Sequence, residues 1–287
     1  MTWESVLTRL NAFSLLPASH PHGSNISTKS SGTLTAAQRN ALTRTIPQYL
    51  ALHEIAENYE SGDVSLHDLL ERTERYYDLV KLPEINNCFS HQSDFVSSVL
   101  PELLCVLLRR VVSELPVNRG LIVTAQKDIA IECNFDVAAG GRIIVKRKRM
   151  DVAILSPGTL SFRDENIDFG VPAFCAEVKT NIDKNMLSGI ESSVETLKQT
   201  FPRAKYYAIG EYSDFEIESQ NYASTGIDEI LIARQQKRSV VRRSPELRNR
   251  LSEELLESFL QEVREHLEAT TQPHTDLASR LPSGRLI

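Results

Sequence analysis

Residues 174–180 read Phe174-Cys175-Ala176-Glu177-Val178-Lys179-Thr180, and this stretch, taken with Asp151, decides how the rest of the chain is read. Side chains on a strand alternate between faces, so Glu177 and Lys179 point the same way, about 7 Å apart. Ala176 and Val178 take the other face, where small apolar groups pack. Asp151 belongs to a second predicted strand, Arg142 to Leu155. If the two strands are neighbours, Asp151 and Glu177 converge on one divalent cation, with the Lys179 ammonium over a water beside it. Two hard oxygen donors, completed by water and substrate phosphate, are a usual setting for Mg²⁺. The arrangement therefore points to phosphodiester hydrolysis. The competing reading of Lys179 is a surface lysine paired with Glu177.

Upstream of this stretch, from Asp128, Ile129, Ile131, Cys133, Phe135 and Val137 alternate with mostly polar residues, the period of a strand. Gly140-Gly141 then signals a tight hairpin turn. The return strand carries Arg142, Lys146, Arg147, Lys148 and Arg149 before it reaches Asp151, and Pro157-Gly158 is expected to end it. Ser156 to Gly170 reads as irregular, with a short strand at Thr159 to Arg163. Ala173 to Lys179 is the next strand. Downstream, Met186, Leu187, Ile190, Val194 and Leu197 form one apolar helix face. Lys205 to Tyr212 and Glu229 to Ala233 read as buried strands. Leu251, Leu255, Phe259, Val263 and Leu267 recur every four residues in a last helix. This order predicts an α/β core with a mixed sheet flanked by helices.

The N-terminal part has helical period instead. Trp3, Val6, Leu7, Leu10 and Phe13 mark a short amphipathic helix. Pro17 to Gly32 is rich in Ser, Pro and Gly and reads as a linker. Thr35 caps a helix to about Thr45, Pro47 opens a second to Tyr59, and Ser65 with Asp68 starts a third that runs to Lys81. Residues 1–84 are thus expected to be a helical region, 85–270 the α/β unit, and 271–287 a flexible tail. Beside a nuclease core, such a bundle would read DNA, mediate dimerisation or serve as scaffold. His91 to Leu115 is a further helical pattern interrupted by Pro101. Glu102, just after that proline, is either an outer ligand of the metal site or part of a solvated face.

Composition narrows the class. The 287 residues are 41% apolar and 24% charged, as in soluble globular proteins. A net charge of −6 argues against a protein that coats nucleic acid indiscriminately. Positive charge is nevertheless clustered, in the run ahead of Asp151 and again from Arg234 to Arg250. The second run holds seven Arg and Lys against one acid, Glu246, and is open between a solvated face and a binding surface. Cys88, Cys105, Cys133 and Cys175 form no metal or redox spacing and are expected to be buried thiols. His20 and His22 lie in the linker-like stretch and are expected to be solvated. No leader peptide is recognised, and the longest apolar run, Leu103 to Leu108, is too short to cross a bilayer. A soluble protein of a reducing cytoplasm is expected.

Together these residues carry a resemblance. An Asp at a strand end, a loop, then Glu-x-Lys on the next strand resembles the PD-(D/E)XK nuclease superfamily. The string Glu177-Val178-Lys179-Thr180-Asn181-Ile182-Asp183-Lys184, a helix, then Ala204-Lys205-Tyr206-Tyr207 and Gly210-Glu211-Tyr212 is similar to type II restriction endonucleases of the BbvCI type, whose relatives act as two different subunits on an asymmetric site. It covers roughly residues 85–235. One departure is Met150, where the superfamily name has a proline; that proline is not a ligand.

The resemblance implies that Asp151 and Glu177 bind Mg²⁺, with the Val178 carbonyl as a further ligand. It implies that Lys179 orients the attacking water or helps to deprotonate it. Asn181 and Lys184 would hold the DNA backbone near the cut. Arg147 and Arg149 share the face of Asp151 by period two and would contact phosphates, unless they are the charges of a soluble edge strand. The expected activity is sequence-specific hydrolysis of double-stranded DNA, leaving 5′-phosphate ends, each subunit of a homo- or heterodimer cutting one strand. Two alternatives remain: a catalytically silent DNA-binding partner with the nuclease fold, and a repair or transposition nuclease of the same superfamily.

Overall fold

The computed structural model describes residues 2–89, 95–117, 120–136, 142–162, 165–215 and 225–271. Its elements are, in order, α1 (Trp3–Leu10), α2 (Pro21–Ser30), α3 (Ala36–Ser61), α4 (Leu66–Val80), α5 (Pro83–Asn86), α6 (Val99–Ser113), β1 (Ile122–Asp136), β2 (Arg142–Phe162), β3 (Glu165–Ile182), α7 (Lys184–Thr200), β4 (Lys205–Ser213), β5 (Glu229–Ile232), α8 (Arg238–Arg243) and α9 (Glu253–Thr271). The strands form one sheet in the order β1-β2-β3-β4-β5. β1, β2 and β3 pair antiparallel, whereas β3, β4 and β5 pair parallel, so the sheet is mixed, as expected. The Gly140-Gly141 turn, residues 91–94 and the tail beyond 271 lie outside the described residues.

Each sheet face has its own apolar layer. Ala125, Val152, Ile154, Ala176, Val178 and Ile209 join α6, α9 and the N-terminal helices in one continuous cluster. Ile129, Met150, Ala153, Cys175, Tyr206 and Ala208 pack with α7 on the other side. α9 buries Leu256, Phe259, Val263 and Leu267; Leu255 of the expected stripe is only partly covered. Burying such side chains contributes roughly 1.5–3 kcal/mol each, which is what holds helix to sheet.

The fold departs from the sequence expectations at four places. Residues 21–30 are a helix, not a linker. Its sequence lacks apolar period because its N-terminus is held from a distance: the Glu102 carboxylate accepts the His22 and Gly23 N–H groups at 2.7 and 2.9 Å. α3 is one helix with Pro47 inside it, not two. It starts at a capping box between Thr35 and Gln38 and ends at Gly62, whose φ of +91° suits a glycine. Third, Pro157-Gly158 does not end β2. Beyond Leu155, β2 has no pairing with β1 and runs beside β3 alone, where a proline is tolerated on the open edge. Ser156 to Gly170 is accordingly strand on both sides of residues 163–164. Fourth, Met186 does not pack on the α7 face; it is exposed.

The basic run from Arg234 begins inside the protein. Arg234 is completely buried and donates to Glu211 at 2.6 Å, to Glu74 at 2.8 Å and to the Asn249 carbonyl at 2.5 Å. Lys81 also pairs with Glu211, and Arg248 pairs with Glu74 and Asp78. Tyr77 and Tyr212 lie beside both Lys81 and Arg234. This cluster ties α4 to β4 and to the segment after β5. A carboxylate shared by two cations is stabilised, while the cations repel. Glu211 therefore sits below its ordinary range despite burial, and burial, with Arg234 nearby, pulls Lys81 down to about 8.

Candidate active site

Where β2 and β3 part, the local geometry is set by a carboxylate. The β2–β3 ladder reaches Val152 opposite Ala176. At the next step Asp151 Oδ2 accepts the Val178 N–H at 2.8 Å. An acid on the separating strand thus satisfies a backbone donor of its neighbour. On β3, Glu177 and Lys179 share a face, and the Lys179 Nζ lies 3.2 Å from Glu177 Oε1 and 3.2 Å from Asp151 Oδ2. The three residues that the sequence singled out are therefore brought together, with the ammonium bridging the two acids.

The surrounding groups fix this trio. The Tyr206 hydroxyl of β4 donates to Glu177 Oε2 at 2.9 Å. Burial first, and then the Glu177 charge, holds the Tyr206 phenol above its ordinary pKa, so it remains a donor. Lys148 Nζ is 3.9 Å from the same carboxylate oxygen. Burial lowers the Lys179 pKa, but the attraction of Asp151 and Glu177 together outweighs it and the net shift is upward. Lys179 is an ammonium at neutral pH.

The expected face of Arg147 and Arg149 is not the one found. Arg147 donates to the Asp168 carbonyl at 3.3 Å and Arg149 to Gln126 Oε1 at 2.9 Å; Lys148 is the basic residue that approaches the acids. The reason is a local irregularity at Gln126, which has a φ of 49° and is skipped in the register opposite Asp151. Met150 and Ala153, three residues apart, consequently pack in the same apolar layer, so period two fails across Asp151.

Asp151, Val178 and Lys179 open into a cleft of about 470 Å³, which Asn181, Gln126 and Arg238 also line. Asn181 is 6% exposed, and its Oδ1 has no hydrogen-bond partner among the described residues. Lys184 is exposed at the start of α7 and is not part of the cleft lining. Glu102 is neither a ligand nor solvated: besides capping α2 it accepts the Tyr49 hydroxyl at 2.7 Å. His22 is 1% exposed, with its ring nitrogens 3.0 Å from Ser98 Oγ and 2.6 Å from Tyr76 Oη, and burial pulls it down to about 3; the expected solvated role is wrong. Cys105 and Cys175 are buried free thiols, and Cys88 is a partly exposed one.

No group of three or more His, Cys, Asp or Glu able to hold a metal forms among the described residues. The donor set is two carboxylates beside a main-chain carbonyl. That set suits Mg²⁺, which keeps several waters and takes one or two protein carboxylates with substrate oxygens. It does not suit a closed structural zinc site.

Tyr206, Lys148, Gln126 and Arg238 were not singled out from sequence. Tyr206 was within reach, since it lies on β4, the strand that follows the Glu-x-Lys strand and pairs with it. The other three depend on the irregularity at Gln126 and on the placement of α8.

The model of the Bpu10I restriction endonuclease family matches residues 94–266, more than half of the chain. The chain belongs to the Bpu10I restriction endonuclease family. The match spans the sheet strands and every residue of the trio. No curated protein matches the sequence. Among solved structures, the native BbvCI A2B2 tetramer contains a chain that superposes with a TM-score of 0.67 at 23% identity, covering 88% of this chain and 96% of that one. At that identity the likeness establishes the restriction-endonuclease-like fold. Among the described residues of this Bpu10I-family chain, no helix is long and apolar enough to cross a membrane.

Proposed function

We propose that this chain is a catalytic subunit of a type II restriction endonuclease, which hydrolyses double-stranded DNA at a specific site with Mg²⁺ and leaves 5′-phosphate ends. The observation that carries the reading is the Asp151–Lys179–Glu177 trio, with 3.2 Å contacts on both sides of the ammonium, whose Asp151 and Lys179 line a cleft of about 470 Å³. Family membership supports the reaction class.

Asp151, Glu177 and the Val178 carbonyl would hold the Mg²⁺, which when bound activates a water and offsets charge on the pentavalent phosphorus. The Val178 N–H keeps Asp151 turned towards the cleft, and the Tyr206 hydroxyl keeps Glu177 from rotating away. Lys179 enters as an ammonium, because the two acids raise its pKa. Its part is to orient a water by donating a hydrogen bond and to stabilise negative charge developing on the phosphate. It is not the base that takes the water's proton while it sits between two free carboxylates. Asn181, with an unused acceptor in the cleft lining, would take a hydrogen bond from the water or an incoming donor.

One catalytic trio per chain means one strand cut per subunit, so a double-strand break calls for a second subunit. The solved relative is an A2B2 tetramer, which supports a partner of related fold for this chain too. A silent DNA-binding role is disfavoured because all three side chains of the trio are present and in contact. The test is digestion of a long DNA by the purified chain, alone and with its partner, in Mg²⁺, with sequencing of the ends. Cuts with 5′-phosphates at one fixed sequence are expected. Structure-selective cutting would instead assign a repair-type nuclease, and no cutting under either condition would refute the catalytic reading.

A further inference from the structure

The basic run from Arg234 to Arg250 divides into two chemically different sets. Arg234, Arg248 and Arg250 are each paired with carboxylates of α4 or β4. Lys237, Arg238, Arg242 and Arg243 have no carboxylate partner among the described residues, and all four sit on α8 or at its N-cap. Arg242, Arg243 and Lys237 are exposed, and Arg238 is half-buried in the cleft lining that also contains Asp151 and Lys179.

The fold holds this unpaired set in a fixed place. Asp214, just after β4, accepts the Ser239 N–H at 3.0 Å. Ser213 bridges to Lys237 in parallel fashion, and the Asp214 N–H donates to the Ile182 carbonyl at 2.9 Å. α8 therefore lies at the carboxyl ends of the parallel strands β3 and β4, where open α/β sheets bind ligands. A second basic group, Lys146 to Arg149 on β2, belongs to the strand that carries Asp151. Of that group Lys148 approaches the Glu177 carboxylate, while Lys179 and Arg238 are the cations of the cleft lining itself.

We propose that α8, through Arg238, Arg242 and Arg243, is a DNA-backbone clamp that holds phosphates flanking the cut. The proposal rests on the nuclease reading and extends it to a surface with no assigned role. Three arginines on one short helix, with no carboxylate partner among the described residues, offer phosphates charge and hydrogen-bond donors without first breaking internal ion pairs. Guanidinium groups suit phosphate better than ammonium because they bind two oxygens at once. Such contacts position the duplex and carry no sequence information.

Salt dependence provides the test, because each phosphate neutralised by a protein cation releases counterions and steepens log K against log salt by about 0.9. The full-length protein, with its partner where one is required, is titrated onto a labelled duplex of arbitrary sequence in EDTA at several salt concentrations. For the triple variant Arg238→Gln, Arg242→Gln, Arg243→Gln, the slope is expected to become shallower by about 2 to 3. Replacing the same three residues by Lys retains most of the slope, which shows that charge rather than folding is at issue. A control triple, Arg75→Gln, Arg203→Gln, Arg264→Gln, makes the same change of net charge elsewhere and leaves the slope unaltered. If the wild type binds and cuts DNA but the α8 variant keeps the wild-type slope, the clamp is wrong while the nuclease reading stands. An unchanged slope with an altered assembly size would assign α8 to a subunit contact and overturn the proposal. A wild type that neither binds nor cuts DNA would remove both.

Discussion

Replacing Arg234 by Met tests how the sheet is joined to the N-terminal helices. The guanidinium is completely buried and bridges Glu211 at 2.6 Å and Glu74 at 2.8 Å, on β4 and α4 respectively. Deleting one member of a buried ion pair costs about 3–5 kcal/mol, because the remaining charge stays desolvated. Here both acids retain other partners: Glu211 keeps Lys81, and Glu74 keeps Arg248 and the Leu251 N–H at 2.8 Å. The loss is therefore placed at the lower end, about 3 kcal/mol. For a chain of this size that corresponds to a fall of roughly 6–12 °C in Tm. Urea denaturation followed by circular dichroism gives the free energy, and a thermal scan gives the temperature. Arg234→Lys keeps a charge but loses the forked geometry, so it should fall between wild type and Met. If Arg234→Met unfolds at the wild-type urea midpoint, the cluster does not hold these elements together and the reasoning is refuted.

Other perturbations address the same chain. Tyr206→Phe removes the donor that holds Glu177; a hydrogen bond to a charged group of about 1.5 kcal/mol predicts a roughly tenfold lower cleavage rate at unchanged Tm. Lys81 is pulled to about 8 in the folded protein from an unfolded value of 10.5. The unfolded chain then binds more protons between those pH values, so this group makes stability rise with pH across that window, by on the order of 1 kcal/mol. Comparing urea midpoints at pH 7.5 and pH 9.5 should show a rise in the wild type that Lys81→Met lacks. Glu102→Ala strips the acceptor from the His22 and Gly23 N–H groups and from the Tyr49 hydroxyl, and should cost about 2–4 kcal/mol in urea denaturation, with faster hydrogen exchange in α2. Protection of α2 equal to that of the wild type would contradict that role.

How far the sequence could be read follows from where each feature draws its stability. Glu177 and Lys179 obey strand alternation because β3 is regular there, and the caps at Thr35 and Ser65 are local hydrogen bonds, so both are legible. α2 was not, because its N-terminal donors are satisfied by Glu102, some 80 residues away. The continuation of β2 through Pro157 depends on β1 having ended at that level, a fact of pairing rather than of composition. The expectation for Arg147 and Arg149 fails because period two cannot register an irregularity on the neighbouring strand at Gln126. Arg234 reads as one cation in a run open between a solvated face and a binding surface; its acids, Glu74 and Glu211, lie far along the chain.

Cleavage of DNA in Mg²⁺ by Asp151→Asn and Glu177→Gln proteins tests the central claim most directly. Both changes preserve size and remove one negative charge from the trio. The account predicts that each variant folds, binds DNA with the wild-type salt slope, and cuts at a rate lower by about 10²-fold or more. Wild-type cutting by either variant would contradict it.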